Sequence, residues 1–184
     1  MSEPTPDEIA ALLQVEHLLD QRWPETKLQP STIRIDALMD LLGSPQNSYP
    51  SIHIVGTNGK TSVARMIDAL LTAFNQRTGR TTSPHLQSAT ERIAIDNQPI
   101  SPARYVETYR EIEPFVQMVD AQSLSGELGV VGPVMSKFEV VTAMAFAAFA
   151  DAPVDVAVVE AGMGGSWDAT NVVDATIAVI TPIG

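Results

Sequence analysis

The chain has no cysteine among its 184 residues. That excludes a disulfide framework and any thiolate metal site, and it is compatible with a reducing compartment. Positive charge is also scarce: Lys and Arg number 11 against 22 Asp and Glu, a formal net charge of −11. This deficit argues against a broad phosphate-backbone interface with nucleic acid and against an anionic membrane surface, both of which need basic patches. No apolar run is long enough to span a membrane. The start, MSEPTPDEIA, has neither the basic nor the apolar region of a signal peptide, so a cytoplasmic location is expected. What the chain does have is 45% hydrophobic content, enough for one real core in one soluble α/β domain.

The stretch SIHIVGTNGKTS, Ser51 to Ser62, organises the rest. The β-prone residues Ile52, His53, Ile54 and Val55 run into Gly56, and Gly59, Lys60 and Thr61 then open a long helical pattern. Strand, glycine turn, helix is the order of a phosphate-binding loop. In such a loop backbone N–H groups converge on one concavity, the helix dipole adds positive potential, Lys60 brings a full charge and the Thr61 hydroxyl is able to ligate Mg²⁺. The strict pattern wants a glycine where this chain has Ile54, so the loop is a variant, G-T-N-G-K-T. Gly56, Thr57, Asn58, Gly59, Lys60, Thr61 and Ser62 are the expected nucleotide contacts.

Around this centre the pattern alternates. Asp7 is expected to cap a first helix with Ile9, Leu12, Leu13 and Leu19 on its apolar face, Trp23-Pro24 to end it, and Ser31 to cap a second helix that stops at Gly43. After the loop, Met66, Ile67, Leu70, Leu71 and Phe74 form one face of a crossover helix, with Gly79 ending it. Arg80 to Ser83 reads as a second strand broken by Pro84. Arg92 to Ile95 and Pro99-Ile100 read as a hairpin, and Ser101-Pro102 opens a helix to about Val119. Ser136-Lys137-Phe138-Glu139 has the capping-box form ahead of an apolar helix. Val154 to Val159 is a strand buried on both faces, and Glu160 at its tip, followed by Gly162, Gly164 and Gly165, is costly unless it faces a cation or donors. Ala175 to Thr181 is a last strand. The fold expected is α/β, a doubly wound and mostly parallel sheet of P-loop type, with a helical segment over 1 to 45 and the core over 46 to 184.

GTNGKT resembles the ATP loop of the Mur ligase superfamily. Three further stretches resemble its folylpolyglutamate synthase and dihydrofolate synthase branch: TSPHL at 82 to 86 with ERI at 91 to 93, SKFE at 136 to 139, and EAGMGGSWDATN at 160 to 171. The resemblance covers nearly the whole chain but only the amino-terminal part of such an enzyme, so a truncated Mur-ligase-like domain is expected, with a carboxyl-terminal glutamate ligase domain absent and meant to pack on this one. It implies that ATP and Mg²⁺ are cofactors and that L-glutamate is joined to dihydropteroate or folate. It implies further that Lys60 and Glu160 are catalytic, that Thr61, Ser83 and Glu160 hold the metal, and that Ser136, Lys137, Phe138, Glu139, Trp167, Asp168 and Ala169 line the pterin site, which the segment between the first two helices, residues 22 to 30, borders. Ser166 stands where the family usually has arginine.

Bland alternatives accompany these roles. Glu139 is also what a capping box needs, Asp168 also what a short turn needs, and His85 also suits a loop hydrogen bond. A GTPase-type switch protein is disfavoured, because the sole D-x-x-G, Asp40 to Gly43, precedes the loop. A folded fragment that binds nucleotide or pterin without turnover, and the ATPase portion of a cell-wall Mur ligase, remain as alternatives.

Overall fold

A computed structural model describes residues 3–23 and 31–184; the expectations for Pro24 and for the rest of 24–30 lie outside the described residues. Helix α1 spans Pro6–Asp20. Its cap is Thr5 rather than Asp7, because Thr5 and Glu8 complete a capping box with Pro6 in the first turn. Helix α2, Ile33–Leu41, buries Ile35, Leu38 and Met39 and leaves Ile33 and Leu41 exposed, so its inward face is rotated from the expected one. The Ile33 amide donates to the Ser31 hydroxyl, 3.1 Å.

Strand β1, Ser51–Val55, leads through the glycine loop into α3, Lys60–Ala73. Strand β2 is Thr78–Thr81 and β3, Ile93–Ile95, pairs antiparallel with it. A hairpin turn with Asp96 and Asn97 at positive φ joins β3 to β4, Gln98–Pro99. Gly79 is therefore a strand residue and not a helix stop. A Cβ there would lie 2.6 Å from the Phe149 ring, so glycine is what lets that ring lie on the sheet. Helix α4, Pro102–Ser125, passes through Pro114 and runs past Val119 to a left-handed cap at Gly126. Helix α5 is Lys137–Asp151, β5 is Val156–Glu160 and β6 is Ile177–Ile180.

The six strands lie in the order β4-β3-β2-β5-β1-β6, with β2, β5, β1 and β6 parallel. Strand alternation then sorts side chains between two faces. Ala157 and Val159 point into the large core with α1, α2, α4 and α5, whereas Ile54 and Val158 meet Ala64 of α3 on the other face. The apolar arc of α3 is wider than one sheet face covers. Ala64 is buried against the strands, while Met66, Leu70 and Phe74 are 63%, 60% and 74% exposed. β6 is an edge strand, with Ile177 and Ile180 exposed.

Candidate active site

The carboxyl ends of β1, β2 and β5 converge, as they do wherever open α/β sheets hold ligands. In register, Ile54 of β1 pairs with Glu160 and His53 pairs with Val159. Glu160 therefore points to the α3 side and His53 to the opposite side, so one residue of offset divides two halves of the site.

On the α3 side, the Thr61 hydroxyl donates to Glu160 Oε1 at 2.7 Å and the Ser83 amide donates to Oε2 at 3.2 Å. Thr61 and Ser83, 99 and 77 positions from Glu160 in the chain, thus form one cluster with it. Burial pushes the Glu160 carboxyl above its ordinary range, while the bonds from Thr61 and Ser83 and the charges of Lys60 and Arg80 pull it back. Lys60 is folded onto its own loop, Nζ donating to the Gly56 carbonyl at 2.8 Å. The loop amides are not all turned inward. Thr57 and Asn58 donate theirs to the Pro182 carbonyl, 3.0 and 3.2 Å, because the segment after β6 runs alongside the loop. The concavity is left to the first turn of α3, whose opening N–H groups have no partner within the helix. Gly56, at φ +135°, is pressed against Thr181: a Cβ there would lie 2.1 Å from the Thr181 hydroxyl oxygen.

Beneath this cluster, Arg80 of β2 and Asp68 of α3 form a buried pair at 2.7 Å. Thr78 adds a bond to the same carboxylate, 2.5 Å. Sequence reading missed both residues; the available signal was an acid on the inward arc of an otherwise apolar helix.

Past Ser83, the remainder of TSPHL and ERI make one substructure. Glu91 accepts from the amides of Leu86, Gln87 and Ser88, which hold its carboxyl below the ordinary range, and Arg92 donates to His85 Nδ1 at 3.0 Å. Burial and the nearby Arg92 and Lys137 push the His85 ring down from its usual value. His85 thus makes the loop hydrogen bond that the bland reading allowed.

The SKFE segment begins α5 with the expected capping box, Ser136 to Glu139. Glu139 is spent on structure: Arg34 donates to it at 3.0 Å and the Ser136 amide at 2.7 Å. Lys137 pairs with Asp20, 2.5 Å. Phe138 lies over the loop after β5, where a Cβ on Gly162 would come within 2.7 Å of its ring, and Trp167 covers Gly165 in the same way. Asp168 is turned inward and buried. Its Oδ2 accepts from the Met163 and Gly164 amides, 3.0 and 2.8 Å, and its Oδ1 accepts from the Thr170 amide and hydroxyl, 3.0 and 2.7 Å. Asp168 caps the 3-10 turn Ala169–Val172, the bland alternative, and shapes the loop that presents Trp167 and Ala169.

The donor set on the α3 side is the Glu160 carboxylate with the Thr61 hydroxyl, and among the described residues no cluster of three or more His, Asp or Glu side chains is placed to hold a metal. Such hard oxygen donors fit Mg²⁺, which keeps several of its waters, rather than a soft or strongly caged ion.

The fold and this cluster define a P-loop α/β domain of the Mur-ligase type. No family model matches the chain. Over 180 residues it is 77% identical to the dihydrofolate synthase/folylpolyglutamate synthase of Mycobacterium tuberculosis, a match spanning 98% of this chain and 37% of that protein. The enzyme of the same name from Bacillus subtilis is 35% identical over 158 residues, 85% of this chain and 35% of that one. Among solved structures, Mycobacterium tuberculosis folylpolyglutamate synthase complexed with ADP superposes with TM-score 0.89 at 73% identity, covering 96% of this chain and 38% of that chain. Thermotoga maritima folylpolyglutamate synthase superposes with TM-score 0.85 at 39% identity, covering 96% and 39%. The chain is thus homologous to the amino-terminal portion of the folylpolyglutamate and dihydrofolate synthases, and spans less than two fifths of the length of these relatives.

Proposed function

We propose that this chain supplies the nucleotide-binding part of an ATP-dependent ligase that joins L-glutamate to dihydropteroate or folate. The observation that carries the reading is the Thr61–Glu160 bond of 2.7 Å at the head of α3, beside Lys60. ATP would transfer its γ-phosphoryl group to the acceptor carboxylate, releasing ADP, and the glutamate amine would then displace phosphate to form the amide. Phosphoryl transfer of this kind needs positioning and charge neutralisation more than covalent help from the protein.

The first-turn amides of α3 would hold the phosphates. Lys60 would exchange the Gly56 carbonyl for a phosphate oxygen, a local swing with no change of fold. Thr61, Ser83 and Glu160 are the residues that would hold Mg²⁺, which when bound neutralises charge on the phosphate oxygens. A threonine hydroxyl suits the role, since its proton goes to Glu160 and a lone pair stays free for the ion. The acceptor ring would lie on the other side, between Phe138 and the Trp167–Ala169 loop, with Asp168 holding that loop in shape. Ser136, Lys137 and Glu139 would act there through the geometry of the α5 start. The remaining portion carried by the relatives would cover the exposed Met66, Leu70 and Phe74 stripe and complete the glutamate half. Among the described residues no helix is long and apolar enough to cross a membrane.

Calorimetric titration with MgATP and with dihydropteroate tests the reading. Lys60→Ala should weaken MgATP by about tenfold or more while leaving the melting temperature in place, since a charged hydrogen bond contributes about 1.5–3 kcal/mol. Affinity unchanged within about twofold would sink the phosphate-loop assignment.

A further inference from the structure

His53 is an imidazole at an inward position of an apolar strand, buried and used by none of the chemistry above. Its Nε2 lies 2.8 Å from the Thr170 hydroxyl oxygen. That hydroxyl has a single proton, and the proton is directed at Asp168 Oδ1, 2.7 Å away. The oxygen must therefore accept from His53, which fixes the ring as the Nε2–H tautomer. Asp168 in turn holds the Met163 and Gly164 amides through Oδ2. The result is an unbroken chain of hydrogen bonds that meets at the Asp168 carboxylate: His53 and Thr170 donate toward it from β1, and the Met163 and Gly164 amides of the loop that carries Trp167 donate to it from the other side. β1 is also the strand that delivers the phosphate loop, with Gly56 three positions after His53.

We propose that His53 is a positioning residue which sets the acceptor loop in register with the phosphate loop, so that the acceptor carboxylate and the γ-phosphate are presented to each other from one strand. The proposal rests on the functional reading above for the identity of the acceptor; the tether itself does not. Backbone pairing fixes β1 within the sheet, but the Gly162–Asp168 loop leaves the sheet after Glu160, and its glycines give it freedom that side-chain bonds must remove.

The test uses Thr170→Val, which keeps shape and removes the hydroxyl, Thr170→Ser, which keeps the hydroxyl, and His53→Leu. Amide hydrogen exchange at Met163 and Gly164 is read together with affinities for MgATP and dihydropteroate. His53→Leu and Thr170→Val should each speed exchange at those amides and weaken dihydropteroate roughly fivefold to tenfold, with MgATP unchanged and Thr170→Ser close to the parent. The double variant should lose less than the two single losses combined, as members of one network do. Unchanged exchange in folded His53→Leu or Thr170→Val overturns the proposal. So does an equal loss for both ligands, which marks a merely structural residue. Should His53→Leu fail to fold, the contrast between Thr170→Val and Thr170→Ser decides. If the parent chain takes up no dihydropteroate, the assigned substrate is wrong, and the exchange measurements still decide the tether.

Discussion

Replacing Gly56 by alanine tests the idea that the phosphate loop is braced by a segment more than a hundred residues away. The added Cβ would lie 2.1 Å from the Thr181 hydroxyl oxygen and 2.8 Å from the Thr181 carbonyl oxygen, distances at which something must move. Movement of Thr181 is expensive, because its amide donates to the Val55 carbonyl at 2.8 Å and the next carbonyl, Pro182, holds the amides of Thr57 and Asn58. Overpacking of this kind costs about 1–3 kcal/mol. The backbone, at φ +135°, adds strain of about 1–3 kcal/mol for a residue with a side chain. A loss of roughly 2–6 kcal/mol in urea unfolding is therefore expected, together with weaker MgATP binding as the loop is pushed off Pro182. Gly59→Ala is the control: it has nothing within 4 Å and pays only for its φ of +83°, about 1–2 kcal/mol. If Gly56→Ala were as stable as the parent, or if Gly59→Ala lost as much, the bracing argument would be wrong.

Glu160→Gln removes a buried charge while its amide group still pairs with Thr61 and Ser83. Because burial raises the Glu160 pKa in the fold, its charged form weighs against stability as pH rises from about 4.5 through the folded value. Without Mg²⁺ at neutral pH the variant should be at least as stable as the parent, and only the parent should gain thermal stability on adding Mg²⁺. Equal gains would remove Glu160 from the metal site. For His53, burial lowers the pKa more than Asp168 raises it. The unfolded chain thus takes up a proton that the folded one resists, and stability should fall as pH drops below about 6.5. His53→Gln should flatten that part of the pH–stability curve, and parallel curves would contradict the assignment. Replacing Met66, Leu70 and Phe74 together by glutamine should cost little stability and reduce self-association of the 184-residue polypeptide in sedimentation, because these side chains form an exposed stripe.

Much of this architecture was legible from spacing alone. The strand, glycine and helix order of the phosphate loop, the capping box from Ser136 to Glu139, the hairpin at Asp96-Asn97 and the buried strand ending at Glu160 all depend on residues within a few positions of one another, whose backbone preferences and periodicity operate locally. The helix ends were less legible. Val119 was passed because nothing in 120–125 breaks a helix before Gly126, and Asp7 yielded to Thr5 because a reciprocal box satisfies more amides than a lone cap. What only the tertiary structure decided is the pairing of distant groups. The placement of β1 between β5 and β6 brings Thr61 to Glu160, the Pro182 carbonyl to the loop amides and His53 to Thr170. It also determined that Glu139 and Asp168, candidates for ligand contact by their motifs, spend their carboxylates on Arg34 and on the loop backbone. Those outcomes depend on strand order and on a one-residue register that sends Glu160 to one face and His53 to the other, and neither is encoded in the spacing of any short stretch.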